Sequence, residues 1–184
     1  EKNQKKLRGE QIVLIPQSVD VLDPLMKVGK QVKGIKGTVE KMREEFRRYG
    51  LSENVEKMYP FQLSGGMARR VLVSTAVMEK SKLIIADEPT PGLYMEMAME
   101  TLRYFRQLAD QGCGVMLITH DIDLALSVAD RIAVFYAGTT VEECPAEDFI
   151  KGKKALRHPY SRAFIDALPQ NSFKPIKGTQ PYAG

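Results

Sequence analysis

Tryptophan is absent, and histidine and cysteine occur twice each. Cys113 and Cys144 have neither CxxC nor CxH spacing, which reads as two reduced cytosolic thiols. A disulfide or a shared metal is the alternative left open. No apolar run reaches the ~18 residues that a membrane-spanning helix needs. Nor is there the basic, apolar and small-residue succession of a secretory leader, so a soluble protein is expected. An excess of one charge sign is missing too. The 27 basic and 23 acidic residues leave only +4, dispersed along the chain, too little to argue for nucleic acid. There is no internal repeat and no low-complexity tract. The initiator methionine is also lacking: the chain opens on Glu1, so a fragment or a processed product is expected.

What is present is ordinary globular material. Of 184 residues, 43% are hydrophobic and 27% charged, enough for one domain with a real core and a small appendage. Gln11 to Ile15 reads as a short strand stopped by Pro16. Val39, Met42, Phe46 and Tyr49 recur at helical spacing and Gly50 ends the run. Ser52 is placed to cap a second short helix before Pro60. A helix follows Gly66, with Val71, Leu72, Ala76 and Met78 on its packed face. Leu83 to Ala86 is a continuous apolar run, as in a parallel strand covered on both faces. Met95 to Gln111 predicts a helix stopped by Gly112. Val115 to Ile118 predicts another buried strand, and Asp121 or Asp123 caps a helix through Ala129. Ile132 to Tyr136 is a strand that Gly138-Thr139 turns into Val141-Glu142. Strands alternating with helices predict an α/β fold with a mainly parallel sheet flanked by helices.

Two stretches carry chemistry. Leu63-Ser64-Gly65-Gly66-Met67 is a polar, glycine-rich turn that feeds a helix. Glycines let a phosphate approach the backbone, and N–H groups at a helix N-terminus attract anions. About twenty residues on, Leu83-Ile84-Ile85-Ala86-Asp87-Glu88-Pro89 ends an apolar run in two adjacent carboxylates, at the strand end where α/β sheets bind ligands. A hard Mg²⁺ takes one or two carboxylates together with waters and phosphate oxygens. A phosphate site and a Mg²⁺ site are therefore expected on one sheet. Ile118-Thr119-His120-Asp121 follows.

These three motifs, in this order, resemble the ATP-binding subunits of ABC transporters. The resemblance implies a partial ABC-type nucleotide-binding domain over residues 1–144, with a helical subdomain at about 33–80. Within it, Ile15-Pro16-Gln17 looks like the Q-loop, in which Gln17 lies near the Mg²⁺ and the attacking water. Asp87 corresponds to the Walker B aspartate that holds Mg²⁺. Glu88 corresponds to the carboxylate that polarises water, a general-base role. His120 resembles the switch histidine that contacts the γ-phosphate. Ser64, Gly65 and Gly66, with Leu63 and Met67, match the signature that binds ATP across a dimer. His158 is read as a structural residue.

Further matches point to the oligopeptide/dipeptide/nickel branch. They are Asp23-Pro24, Gly29-Lys30, Tyr59-Pro60-Phe61-Gln62, and His158-Pro159-Tyr160-Ser161-Arg162-Ala163-Phe164 in a C-terminal extension, 145–184. In this extension Pro175-Ile176-Lys177-Gly178 resembles the approach to a further segment of relatives. Two departures stand out. Tyr94 occupies the place of the D-loop aspartate, and G-x-x-x-x-G-K-[ST], the loop that cradles the β-phosphate, occurs nowhere in the chain.

The resemblance implies an ATPase, with ATP and Mg²⁺ as cofactors, that energises uptake of peptides or nickel. Its expected partners are a second ATPase subunit (identical or a paralogue), membrane permease subunits and, indirectly, a substrate-binding protein. The expected place is the cytoplasmic face of the membrane, with no nucleic acid involved. The chain by itself is expected to bind nucleotide poorly and to be inactive. Two alternatives remain: a non-catalytic degenerate subunit, or an ABC-type ATPase acting on nucleic acid.

Overall fold

The computed structural model describes residues 7, 11–34, 37–78, 81–171, 173–176 and 178. The basic stretch 1–10, apart from Leu7, lies outside the described residues, as does Lys177 of the tail. The chain divides into two units, Glu1–His120 and Asp121–Gly184. Among the described residues, no helix is long and apolar enough to cross a membrane.

The first unit is built on three parallel strands, β1 (Ile12–Ile15), β2 (Leu83–Asp87) and β3 (Gly114–Ile118), in that spatial order. Ile15 pairs with Ala86, and Asp87 with Ile118, so the C-terminal ends of all three strands lie together. Side chains alternate across a strand, and here the alternation divides buried from exposed. Val13, Ile15, Ile84 and Ala86 are buried, whereas Leu14, Met116 and Ile118 are exposed. This corrects two expectations. β2 is buried on one face and half-buried on the other, and β3 alternates between exposed and half-buried positions. A parallel strand is fully buried only when helices cover both faces, and among the described residues one face of β3 lacks such cover.

The helices follow the sequence pattern more closely. Helix α1 (Val28–Lys33) and helix α2 (Val39–Arg48) precede the signature. The Thr38 hydroxyl accepts from the Lys41 N–H at 3.3 Å and so opens α2, while Met42 and Phe46 bury its apolar stripe. Gly50, at φ +59°, ends this segment in a conformation that side chains resist. Ser52 departs from expectation: its side chain caps nothing, and Glu53–Lys57 forms a 3₁₀ turn rather than an α-helix. What holds the turn is packing of Val55, 1% exposed, and a two-pronged ion pair in which the Arg43 guanidinium donates to both Glu56 oxygens at 2.8 Å. Helix α3 (Gly65–Met78) is apolar nearly all round, packs along α1, α2 and β1, and is buried over most of its length. Helix α4 (Met95–Asp110) packs along β3.

The second unit has a different plan. Helix α5 (Ile122–Leu126) is capped by Asp121, whose carboxylate accepts the Leu124 N–H at 3.0 Å, and it stops short of Ala129. Strands β4 (Arg131–Tyr136) and β5 (Thr139–Pro145) then form an antiparallel hairpin with an irregularity at Val134/Phe135. The expected parallel arrangement therefore does not extend to them. A short connection can join only antiparallel neighbours, because a parallel return needs a crossover of a dozen residues or so. Helices α6 (Ala146–Lys151) and α7 (Pro159–Ala167) follow, and Ile132, Phe149, Leu156 and Ile165 form the core of this unit. Cys113 and Cys144 are both free thiols, and burial pushes the Cys144 thiol up.

Candidate active site

The end of the parallel sheet gathers five of the residues that the sequence motifs contain. β1 delivers Gln17 two residues beyond Ile15, β2 delivers Asp87 and Glu88, and β3 delivers Thr119 and His120. The sheet continues one step past β2, because the Glu88 N–H donates to the Ile118 carbonyl at 2.9 Å. At that point the chain turns sharply. Glu88 adopts φ +46°, in the left-handed region that costs a residue with a side chain of the order of 1–2 kcal/mol.

That turn aims the Glu88 carboxylate at the end of β3. Its Oε1 accepts the His120 backbone N–H at 3.0 Å and lies 2.8 Å from His120 Nδ1. The Thr119 hydroxyl reaches Oε2 at 3.4 Å. The Glu88 side chain is 14% exposed, while the His120 side chain is 81% exposed. The acid is thus sheltered and the imidazole is turned outward. Such a pair can hold a carboxylate in one orientation and change its hydrogen bonding when the ring moves.

Asp87 is half-buried at the end of β2 and Gln17 is exposed beyond the end of β1. Among the described residues, no group of three or more His, Cys, Asp or Glu side chains could hold a metal. One carboxylate and one amide oxygen nevertheless fit Mg²⁺. This ion keeps several waters and borrows phosphate oxygens from its nucleotide rather than filling an all-protein cage.

Leu63-Ser64-Gly65-Gly66-Met67 forms the start of α3 rather than part of the strand-end cluster. The Ser64 hydroxyl accepts the Met67 N–H at 3.3 Å, as an N-cap should. A side chain at Gly65 would meet nothing within 4 Å, so that backbone is open to an approaching group. At Gly66 an added Cβ would sit 3.1 Å from the Gly92 carbonyl, so the loop after Glu88 lies against the helix start. Tyr94, 61% exposed, precedes α4 without capping it by its side chain.

Residues 1–91 match the family model described as ABC transporter. The chain is 35% identical over 176 residues to the oligopeptide transport ATP-binding protein OppD of Lactococcus lactis subsp. cremoris. The chain belongs to the ABC transporter family. That OppD match covers 89% of this chain and 51% of the relative. The dipeptide transport ATP-binding protein DppD of Haemophilus influenzae is 34% identical, over 92% of this chain and 54% of that one. The chain therefore spans about half the length of the curated relatives it matches. In structure it is similar to the ABC cassette MJ0796, solved as a dimer in a post-hydrolysis state with ADP and Pi. The TM-score is 0.71 at 24% identity, over 79% of this chain and 67% of that one. The likeness shows the same α/β cassette fold.

One residue of the ABC cassette escaped the sequence reading. Arg69, on α3 and 6% exposed, donates from Nη1 to the Pro16 carbonyl at 2.8 Å and from Nη2 to the Gln17 carbonyl. Burial pulls its pKa below the usual arginine value, against the carboxylates of Asp87 and Glu88, which push it back up. The signal was there: two consecutive arginines, Arg69 and Arg70, inside an otherwise apolar helix. Arg70 also reaches back to main chain, donating to the Tyr49 and Gly50 carbonyls at 3.0 and 3.1 Å.

His158 serves structure. Its Nδ1 accepts the Tyr160 N–H at 3.2 Å and caps α7.

Proposed function

We propose that this chain is part of the ATP-hydrolysing subunit of an ABC importer for peptides. The observation that carries the reading is the sheltered Glu88 carboxylate held against His120 at the end of a parallel sheet. Glu88 polarises the attacking water, and His120 orients that carboxylate while presenting its exposed ring to the γ-phosphate. Asp87 and Gln17 would hold Mg²⁺ together with the nucleotide. The metal supplies charge neutralisation at the transferring phosphoryl group. Ser64, Gly65 and Gly66, flanked by Leu63 and Met67, offer first-turn N–H groups and a hydroxyl to the ATP bound by a second ATPase subunit.

The OppD and DppD names favour peptides over nickel as cargo. Membrane permease subunits and, through them, a substrate-binding protein complete the proposed assembly, with this subunit peripheral on the cytoplasmic face. The division into a cassette part, 1–144, and an importer-type extension, 145–184, belongs to the same proposal. A second reading, a non-catalytic subunit paired with an active paralogue, is favoured by the tyrosine at position 94.

The test uses two samples. Residues 1–184 alone should show weak or no ATPase activity, for want of a β-phosphate cradle. The full-length protein assembled with its permeases should turn over ATP, and Glu88→Gln should lower that turnover by about 10²–10⁴-fold while nucleotide binding persists. Robust turnover by the short chain would sink the first expectation. Turnover of the assembly that is indifferent to Glu88→Gln would move the non-catalytic reading ahead.

A further inference from the structure

A guanidinium does not shed its charge, so a buried one must find acceptors in fixed directions. Those of Arg69 are two consecutive carbonyls, Pro16 and Gln17, lying 53 and 52 residues away in sequence. They sit where β1 stops being a strand. Pro16 has no N–H to give to a ladder. The turn beyond it is closed by local bonds, the Asp20 N–H to the Ser18 hydroxyl at 3.1 Å and the Leu22 N–H to the Val19 carbonyl at 3.3 Å, and it packs with the buried Leu22 against helix α3. The long-range hydrogen bonds to the Pro16 and Gln17 carbonyls come from the planar fork of Arg69, which rises from the helix that begins Gly65-Gly66.

We infer that Arg69 is a positioning residue: it clamps the Pro16–Gln17 main chain to helix α3, fixing where Gln17 leaves the sheet beside the Asp87–Glu88 strand end. The inference rests on reading Gln17, Asp87 and Glu88 as the hydrolytic end. It goes beyond that reading by joining the signature helix to Gln17 within one chain. Any rotation of α3 that alters what Ser64-Gly65-Gly66 presents must also displace Gln17, because the two carbonyls move with the fork.

The test is made on the ¹⁵N-labelled chain 1–184, with Arg69→Met and Arg69→Lys. In Arg69→Met, hydrogen exchange at the Leu22 amide should quicken by about tenfold or more, while the β2–β3 ladder amides keep their wild-type rates. Arg69→Lys, a point charge without a fork, should give a smaller acceleration and serves if the methionine variant does not fold. Mn²⁺ added with ADP is the second probe, since the ion borrows phosphate oxygens from the nucleotide. In the wild type it should broaden Asp87 and the Gln17 side-chain amide together, and in Arg69→Met it should broaden Asp87 alone. Unchanged exchange at Leu22, or equal acceleration of Leu22 and the sheet, would overturn the inference. Turnover of the full-length assembly that is indifferent to Glu88→Gln would instead remove the hydrolytic reading, leaving the clamp to be judged by the exchange rates.

Discussion

Two turns in this protein bend the backbone the same way for different ends. After β2, Glu88 stands at φ +46°, and after β4, Ala137 stands at φ +49°. Either position would suit glycine or asparagine better. At Glu88 the strained turn carries a carboxylate that meets the His120 N–H and ring and the Thr119 hydroxyl. At Ala137 it carries a methyl group, and with Gly138 at φ +81° it makes the two-residue connection of a hairpin. Positive φ alone therefore does not mark a site. It does so where the forced side chain has partners that only the forced conformation reaches.

The histidines of the two units repeat the contrast, and this pair should show the largest difference. His120→Ala removes the ring from the Glu88 carboxylate, so turnover of the assembled transporter should fall roughly ten- to a hundredfold, while the 81% exposure of the His120 side chain leaves stability little changed. His158→Ala removes a helix cap and should cost about 1 kcal/mol in denaturant unfolding while leaving turnover intact. If both variants lost stability alike, with equal turnover, the distinction would collapse.

A smaller effect sharpens the comparison of turns. Ala137→Asn should raise unfolding free energy by about 0.5–1 kcal/mol, since asparagine tolerates the left-handed region, with no change in ATP turnover. Lower stability would mean the alanine methyl has packing that outweighs its strain.

The smallest effect concerns acid. Burial raises the Glu142 carboxyl, but the Ser161 hydroxyl and the N–H groups of Arg157 and His158, the latter two at 2.6 and 3.3 Å, favour its charged form, and the balance leaves it below the ordinary range. A depressed carboxylate contributes stability that is present above its unfolded pKa of about 4.3 and is lost as pH falls through the lower folded value. Wild-type stability should thus decline on the acid side, and Glu142→Gln should flatten that limb in pH-dependent unfolding. An unaltered acid limb would assign the decline to other carboxylates.

The contrast of turns also shows what could be read from residue order. The place of Asp87 and Glu88 was legible because they close a run of apolar residues and a parallel sheet delivers strand ends to one edge, whereas His120 was singled out through the resemblance of Ile118-Thr119-His120-Asp121 to ABC ATPases. The α2 stripe and its Gly50 stop were legible because they are local. Ser52 looked like a cap, but Val55 packing and the Arg43–Glu56 pair decide that turn from 13 residues apart. The exposure of Leu14, Met116 and Ile118 could not be foreseen, since apolar runs report what a strand needs and not what covers it. Arg69 was missed for a related reason: its acceptors are carbonyls, which every residue has and no motif records.

The central claim is that Glu88 and His120 act as one device. Turnover of Glu88→Gln, His120→Ala and the double variant, each in the assembled full-length protein, tests it directly. Residues that work as a unit give losses that do not add, so the double variant should be no slower than Glu88→Gln alone. Losses that multiply in the double variant would contradict the account, because the 2.8 Å contact would then join two groups acting independently.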